Sequence, residues 1–151
     1  MKSRGQIAAA FAVLFGVGLV VGLSALRGPG SRNADLRLVA RGRFHRVAHL
    51  GTGIASVYQL PNGRFTMRLT EFRTDEGRDL QVLLIAASDV FENETVEQSE
   101  KLLVASLEKV EGDQTYSLPD PLDLAKYRAV TIWSGKHHIN FITAPLVPIS
   151  D

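Results

Sequence analysis

Hydrophobic and polar positions alternate most regularly in "GIASVYQLPNGRFTMRLTEF", residues 53–72. Ile54, Tyr58 and Leu60 share one parity, and Phe65, Met67 and Leu69 alternate with Thr66, Arg68 and Thr70, as half-buried strands do. Asn62-Gly63 between them, with Pro61 just before, predicts a hairpin closed by a two-residue type I′ turn. "DLQVLLIAA", residues 79–87, is a short, nearly continuous apolar run bounded by "TDEGRD" and suits a central strand. "YRAVTIW" and "HHINFIT", joined by Ser134-Gly135-Lys136, predict a second hairpin, with further short strands at Lys101–Leu107 and Thr115–Leu118. Residues 88–100, "SDVFENETVEQSE", fit either one acidic helical turn or a long loop, and Asn93-Glu94-Thr95 matches a glycosylation sequon. Six to eight short strands without sustained helical periodicity predict an all-β fold, an antiparallel β-sandwich of two sheets.

Ahead of this region the pattern changes. From Ile7 to Leu26 the chain carries no charge, a run of 20 residues. At about 1.5 Å per residue, a helix of that length spans a hydrocarbon core of about 30 Å. A signal peptide has a shorter apolar run ending in a small-x-small site, which Ser24-Ala25 matches poorly, so the pattern favours an uncleaved signal anchor. The organisation expected is a cytoplasmic head at 1–6, a transmembrane helix contacting the lipid bilayer at 7–26, and a Gly/Pro-containing linker at 27–38. A β domain at 39–147 and a tail at 148–151 follow. Positive charge flanks the span on both sides, so the orientation rests mainly on the head being too short to act, which leaves the C-terminal domain extracytoplasmic. Gly18 and Gly22 form a GxxxG spacing through which two helices could approach as a dimer.

Charge narrows the function classes. Residues 1–37 hold five Lys/Arg and one acid, while 38–151 hold twelve against fifteen, a formal charge of −3 for the folded part. That balance argues against nucleic-acid binding, which needs a concentrated basic surface. Within the domain, 41–78 has seven Arg and three acids, and 89–123 has ten acids and two Lys. Opposed faces, complementary patches, or a merely solvated and self-neutralising surface all fit this segregation. The chain has no cysteine, so neither a disulfide nor a thiolate nucleophile or ligand is available.

Candidate chemistry gathers around the second hairpin. Ser134 next to His137 and His138 could be read as a nucleophile with a base, but no GxSxG elbow accompanies it and Ser-Gly-Lys is ordinary turn chemistry. His45, His137 and His138 could contribute to a metal site. His45 and His49 share a parity but would lie about 13 Å apart along a strand, and His137 and His138 point oppositely if extended. Hydrogen-bonded or exposed histidines are the default reading. Asp75, Asp79 and Asp113 lie in acidic loops with Gly77 and Gly112 and could offer calcium hard oxygen ligands, or simply cap turns. Trp133, Tyr127, Tyr58 and Tyr116 read as core and corner aromatics rather than as a chain for electron hopping.

Several ordered stretches together carry a family resemblance. Gly51-Thr52-Gly53 leads into Tyr58, and Glu71-Phe72 leads to Gly77 and Asp79-Leu80. Gly112-Asp113-Gln114-x-Tyr116 with Leu118-Pro119 follows, then Leu122-Asp123-Leu124, Tyr127-Arg128, Ile132-Trp133 and Ala144-Pro145-Leu146. Over about 39–147 the chain resembles the DM-thirteen domain, an electron-transfer family found beside cytochrome-like DOMON modules in Skeletor-type proteins and alone in bacterial envelope proteins. The resemblance implies a β-rich extracytoplasmic fold and a redox role resting on a cysteine directly after the Ile-Trp pair. Here that position is Ser134, which keeps the small size and lacks thiol chemistry. The expected protein is therefore a membrane-anchored, extracytoplasmic binding or envelope-associated module that is not an enzyme, holds no cofactor and lacks thiol redox activity. Two other readings stay open. One is an electron-transfer accessory using a histidine-bound metal or a partner cytochrome. The other is a structural envelope protein that docks a partner through its acidic segment.

Overall fold

The computed structural model describes residues 35–150. The expected head, membrane span, Gly18/Gly22 pair and most of the linker lie outside the described residues, among which no helix is long and apolar enough to cross a membrane. Ten strands and one short helix follow in order: β1 (Arg37–Arg43), β2 (His45–Arg46), β3 (Gly51–Gln59), β4 (Phe65–Thr74), β5 (Leu80–Ile85), α1 (Asn93–Gln98), β6 (Lys101–Ser106), β7 (Gln114–Ser117), β8 (Ala129–Ser134), β9 (Ile139–Pro145) and β10 (Val147–Pro148). They form two antiparallel five-stranded sheets, β10-β1-β3-β4-β7 (sheet A) and β2-β9-β8-β5-β6 (sheet B).

Cross-strand register explains which residues meet. In sheet A, Ala40, Val57, Met67 and Tyr116 stand in one row. In sheet B, Val82, Ile132 and Ile142 form one row and Leu84, Val130 and Ala144 the next. All of these belong to one buried cluster between the sheets. Side chains alternate faces with a period of two, so neighbouring rows point away from it. The all-β expectation of two antiparallel sheets holds, with β5 paired on both sides by β6 and β8 as its apolar run requires.

Three local expectations change. On β3 the core face is Ala55 and Val57, both fully buried, rather than Ile54, Tyr58 and Leu60. Small residues face inward here, so apolar size misidentified the parity. The first hairpin closes over three residues, not two: Leu60 N–H donates to the Arg64 carbonyl, Gly63 N–H donates back to Leu60, and only Gly63 of the loop has positive φ. Pro61 fixes its own φ and Asn62 uses its side-chain oxygen to accept from Arg64 N–H, so the turn is type I followed by a left-handed Gly. Strands β1, β2 and β10 were not expected. Arg-rich β1 has no clean alternation, and the other two are only two residues long.

A bulge in β4 accounts for several family motifs at once. Glu71 and Phe72 together oppose the single residue Gly53 of β3. The extra residue switches parity, so Met67 and Leu69 face the core before it and Phe72 and Thr74 after it. Gly53 has φ 131°, and a Cβ there would sit 2.9 Å from Phe72 Cα, so only glycine fits. Glu71, at φ 52°, donates its N–H to Asp113 Oδ1 (3.1 Å), and Gly112 N–H donates to the Phe72 carbonyl. Phe72 then packs edge-on to Phe44 at 5.4 Å.

Candidate functional site

The second hairpin differs from the expected one. Ser134 is the last residue of β8, paired with Ile139, and the loop is Gly135–His138. His137 and His138 are therefore in the turn, with His138 in the left-handed region at φ 56°. Ser134 has no exposed surface. Its hydroxyl donates to the Arg78 carbonyl (2.8 Å) and accepts from the His137 backbone N–H (3.2 Å), while Ser134 O accepts from His138 N–H. The hydrogen bond to His137 is to its backbone, so no Ser-His dyad forms. Gly135 N–H donates to the carbonyl of Asp79, itself at φ 53°, and a side chain at Gly135 would collide with the Asp79 carboxylate and the Gln81 amide. Ser134 thus clamps two turns together at the end of sheet B.

On the outer face of sheet B the register row Leu103, Leu83, Thr131, Thr143 and His45 runs across all five strands. Residues 86–100, including α1, cover part of this face as a flap. Beneath it Trp133 packs with Leu83, Ile85, Val90, Val96 and Ala129 in a second, smaller cluster. This segment resolves the alternatives for 88–100 in favour of a helical turn. Helix formation there lets Val96 reach the apolar patch while the glutamates stay in water.

The flap is held by polar contacts that no sequence pattern signalled. Asn140 N–H donates to Asn93 Oδ1 (2.8 Å), and the fully buried Thr131, Asn140 and Thr143 bond one another. His45 Nε2 meets Asp89 Oδ1 at 2.7 Å, and His138 Nδ1 meets Glu97 Oε2 at 2.8 Å. Phe91 stacks on His45 at 4.7 Å, and the rings of Trp133 and His138 lie 5.8 Å apart. Only the acidic, Asn-containing composition of 88–100 hinted at this segment. Its partners lie 41–47 residues away in sequence.

The expected ligand sets do not assemble. His45 and His138 each pair with a different flap carboxylate, and the His137 ring makes no hydrogen bond among the described residues. His49 turns away to pair with Asp75 (3.0 Å) and stack on Phe141. Among the described residues no three His, Asp or Glu side chains gather as a metal site. Asp75, Asp79 and Asp113 serve separately, as the partner of His49, as a turn residue hydrogen-bonded to Gln81, and as the acceptor for the bulge N–H.

Two tyrosines complete the picture. Tyr116 donates its hydroxyl to Gln114 Oε1 (2.6 Å) and accepts from Glu108 N–H. Gln114 also accepts from Lys109 N–H and donates to the Lys109 and Gly112 carbonyls. Burial is the main cause raising the Tyr116 phenol above its ordinary value. Tyr127 donates to Glu100, and its phenol is raised first by burial and then by that carboxylate. Tyr58 lies instead on the outer face of sheet A under the Arg68 guanidinium, 5.2 Å away. Gly77 cannot carry a side chain, because one would strike the Phe141 ring.

Glu100, hydrogen-bonded by Lys126 and then by Tyr127, is held below its usual 4.5, and Lys126 is held above its usual 10.5 by the Glu100 hydrogen bond. The carboxylate's contribution to stability is present above 4.5 and is lost as pH falls through its lowered value. The ammonium's contribution is present below 10.5 and is lost as pH rises through its raised value. Glu100→Gln is expected to lose less stability than the wild type on the acid side of 4.5, read from urea midpoints across pH. The difference will be small because the pair lies at the surface.

The Gly53/Phe72 bulge, the Gln114-Tyr116 clamp and the Ile132-Trp133 strand end all lie within residues 43–146, which match the family model described as Electron transfer DM13. The chain belongs to the DM13 family. Neither a curated protein nor a solved structure matches it. The DM13 match covers every strand except β10 and most of β1.

Proposed function

We propose that this DM13 protein is a membrane-anchored, extracytoplasmic binding or envelope-associated module that does not perform thiol redox chemistry and is not an enzyme. The observation carrying this reading is the commitment of Ser134. At the position where the resemblance puts a cysteine, a fully buried hydroxyl spends both its donor and an acceptor on turn backbone, in a chain with no thiol anywhere. A serine hydroxyl neither ionises near neutrality nor forms disulfides. The uncharged run from Ile7 to Leu26 supports the anchor. The full chain, purified in detergent, is expected to show no stoichiometric haem, flavin or transition metal by absorption and elemental analysis. One equivalent of any of them would overturn the reading.

A second reading, docking of a partner through the acidic segment, is favoured by one feature. Phe91 is 67% exposed beside Glu92, Glu94 and Glu97 on the flap, an apolar anchor within an acidic rim. Salt-sensitive recovery of one defined membrane protein, lost when Glu92, Glu94, Glu97 and Glu100 are neutralised, would select it.

A further inference from the structure

The outer face of sheet A carries a pattern that the family resemblance does not use. One register row crosses all five strands as Val147, Arg41, Ser56, Arg68 and Thr115. The adjacent row, Ala40, Val57, Met67 and Tyr116, lies in the core, so this row faces outward. Arg43, two residues from Arg41, shares the outward face, paired with Ile54. Two arginines thus flank Ser56, which is buried although it lies on the outer side of the sheet. Ile54 is buried in the same way beside Arg43. Such long side chains cover apolar sheet surface and keep their charged ends in water. None of Arg41, Arg43 and Arg68 is within ion-pairing distance of a carboxylate among the described residues. Glu71 and Asp113 stand beyond Thr70 at the β4 bulge, joined by the hydrogen bond from Glu71 N–H to Asp113 Oδ1. The acids of 89–100 belong to the flap, which covers the other sheet. Exposed apolar residues border the basic row on its β10 side: Val147 is 58% exposed and Ile149 43%.

We propose that this face is a lipid-headgroup contact surface, on which the domain lies against an anionic membrane leaflet. The inference rests on the anchored reading above. Three features select a bilayer over other polyanions. Chain enters the domain through β1, the strand bearing Arg41 and Arg43, so the bilayer segment of the anchored reading is joined in sequence to this sheet. Ten residues, 27–36, separate Leu26 from β1, a reach of at most about 36 Å, so the face meets the membrane at high effective concentration. Guanidinium groups with bordering Val147, Ile149 and Tyr58 combine charge for phosphates with apolar and aromatic groups suited to the interfacial zone, a mixture that a nucleic acid or glycan does not require. Each arginine near an anionic surface is expected to favour the docked state by about five-fold, and the three together by about a hundred-fold.

The absence of cysteine allows a clean test on the full chain. A single dye is attached at Thr115→Cys on this face, or at Leu103→Cys on the outer face of sheet B. Energy transfer to headgroup-labelled lipid is then measured after reconstitution into phosphatidylcholine vesicles with and without phosphatidylglycerol. Flotation after an alkaline wash reports the anchor separately: a chain that does not float overturns the anchored reading itself. In a chain that floats, transfer from position 115 is expected to exceed that from 103 in anionic vesicles only. The excess should fall with salt and disappear in the Arg41→Gln/Arg43→Gln/Arg68→Gln variant, with folding checked by circular dichroism. Equal transfer from both labels, or an excess that persists without phosphatidylglycerol or in the triple variant, would overturn the docking proposal. Binding of added heparin that depends on the three arginines, without a lipid-dependent excess, would also overturn it and assign the face to a soluble polyanion.

Discussion

Phe72→Ala is expected to cost about 3–5 kcal/mol of unfolding free energy, the range for deleting a buried aromatic side chain. Phe72 is 2% exposed, packs edge-on to Phe44 and sits on the parity-switching bulge. Its ring cannot be replaced by a neighbour sliding inward, because Gly53 offers no side chain and the adjoining backbone is tied to Asp113 and Gly112. The residual cavity should therefore stay largely open. Equilibrium urea denaturation of the full chain in detergent, followed by the single Trp133, gives the measurement; a loss below about 1 kcal/mol would mean that the bulge region repacks.

Gln114→Ala is the second large effect, about 3 kcal/mol by the same measurement. The amide is 5% exposed and serves four partners: Tyr116 hydroxyl, Lys109 N–H, and the Lys109 and Gly112 carbonyls. Truncation removes one side of every bond and leaves buried groups unpaired, each costing about 1–3 kcal/mol unless water enters. Tyr116→Phe should cost less, because Gln114 keeps its three backbone contacts. Equal losses for the two variants would show that the clamp acts through the phenol alone.

Both residues lie in stretches that carry the family resemblance, and the structure shows how those stretches act together. Gly53 permits the bulge, Glu71-Phe72 forms it, Asp113 satisfies its N–H, and Gln114 with Tyr116 braces the loop that brings Asp113 there. In sequence these are separate short matches. In the fold they are one device for turning Phe72 inward.

Alternation is visible in β4, β6 and β7, which lay one face against the core, whereas β5 and the β8–β9 hairpin were found as short apolar runs because nearly every residue in them is buried. Alternation misled on β3, where residues 53 to 57 are all buried and the inward side chains are small, so it carries little information about direction. The Ser134 position was also legible as a turn-associated serine, but its pairing with Ile139 as the last residue of β8 follows a register shift, with Phe141 of β9 as the extra residue opposite Ile132 and Trp133, that no local pattern announces. The histidines do not converge, because His45, His49 and His138 each found a carboxylate 26 to 44 residues away in sequence while His137 stays in the turn.

Local composition therefore established the β class, the main hairpins, the missing thiol and the uncharged N-terminal run, since these depend on residue type and spacing over a few neighbours. Packing of distant segments decided the rest. Closing the two sheets set which parity of β3 faces inward, laid 86–100 over Trp133, paired His45, His49 and His138 with separate acids, and gathered Arg41, Arg43 and Arg68 on one face away from the flap's glutamates. Those outcomes depend on which strands become neighbours, and contacts between residues far apart in the chain leave no short-range signature.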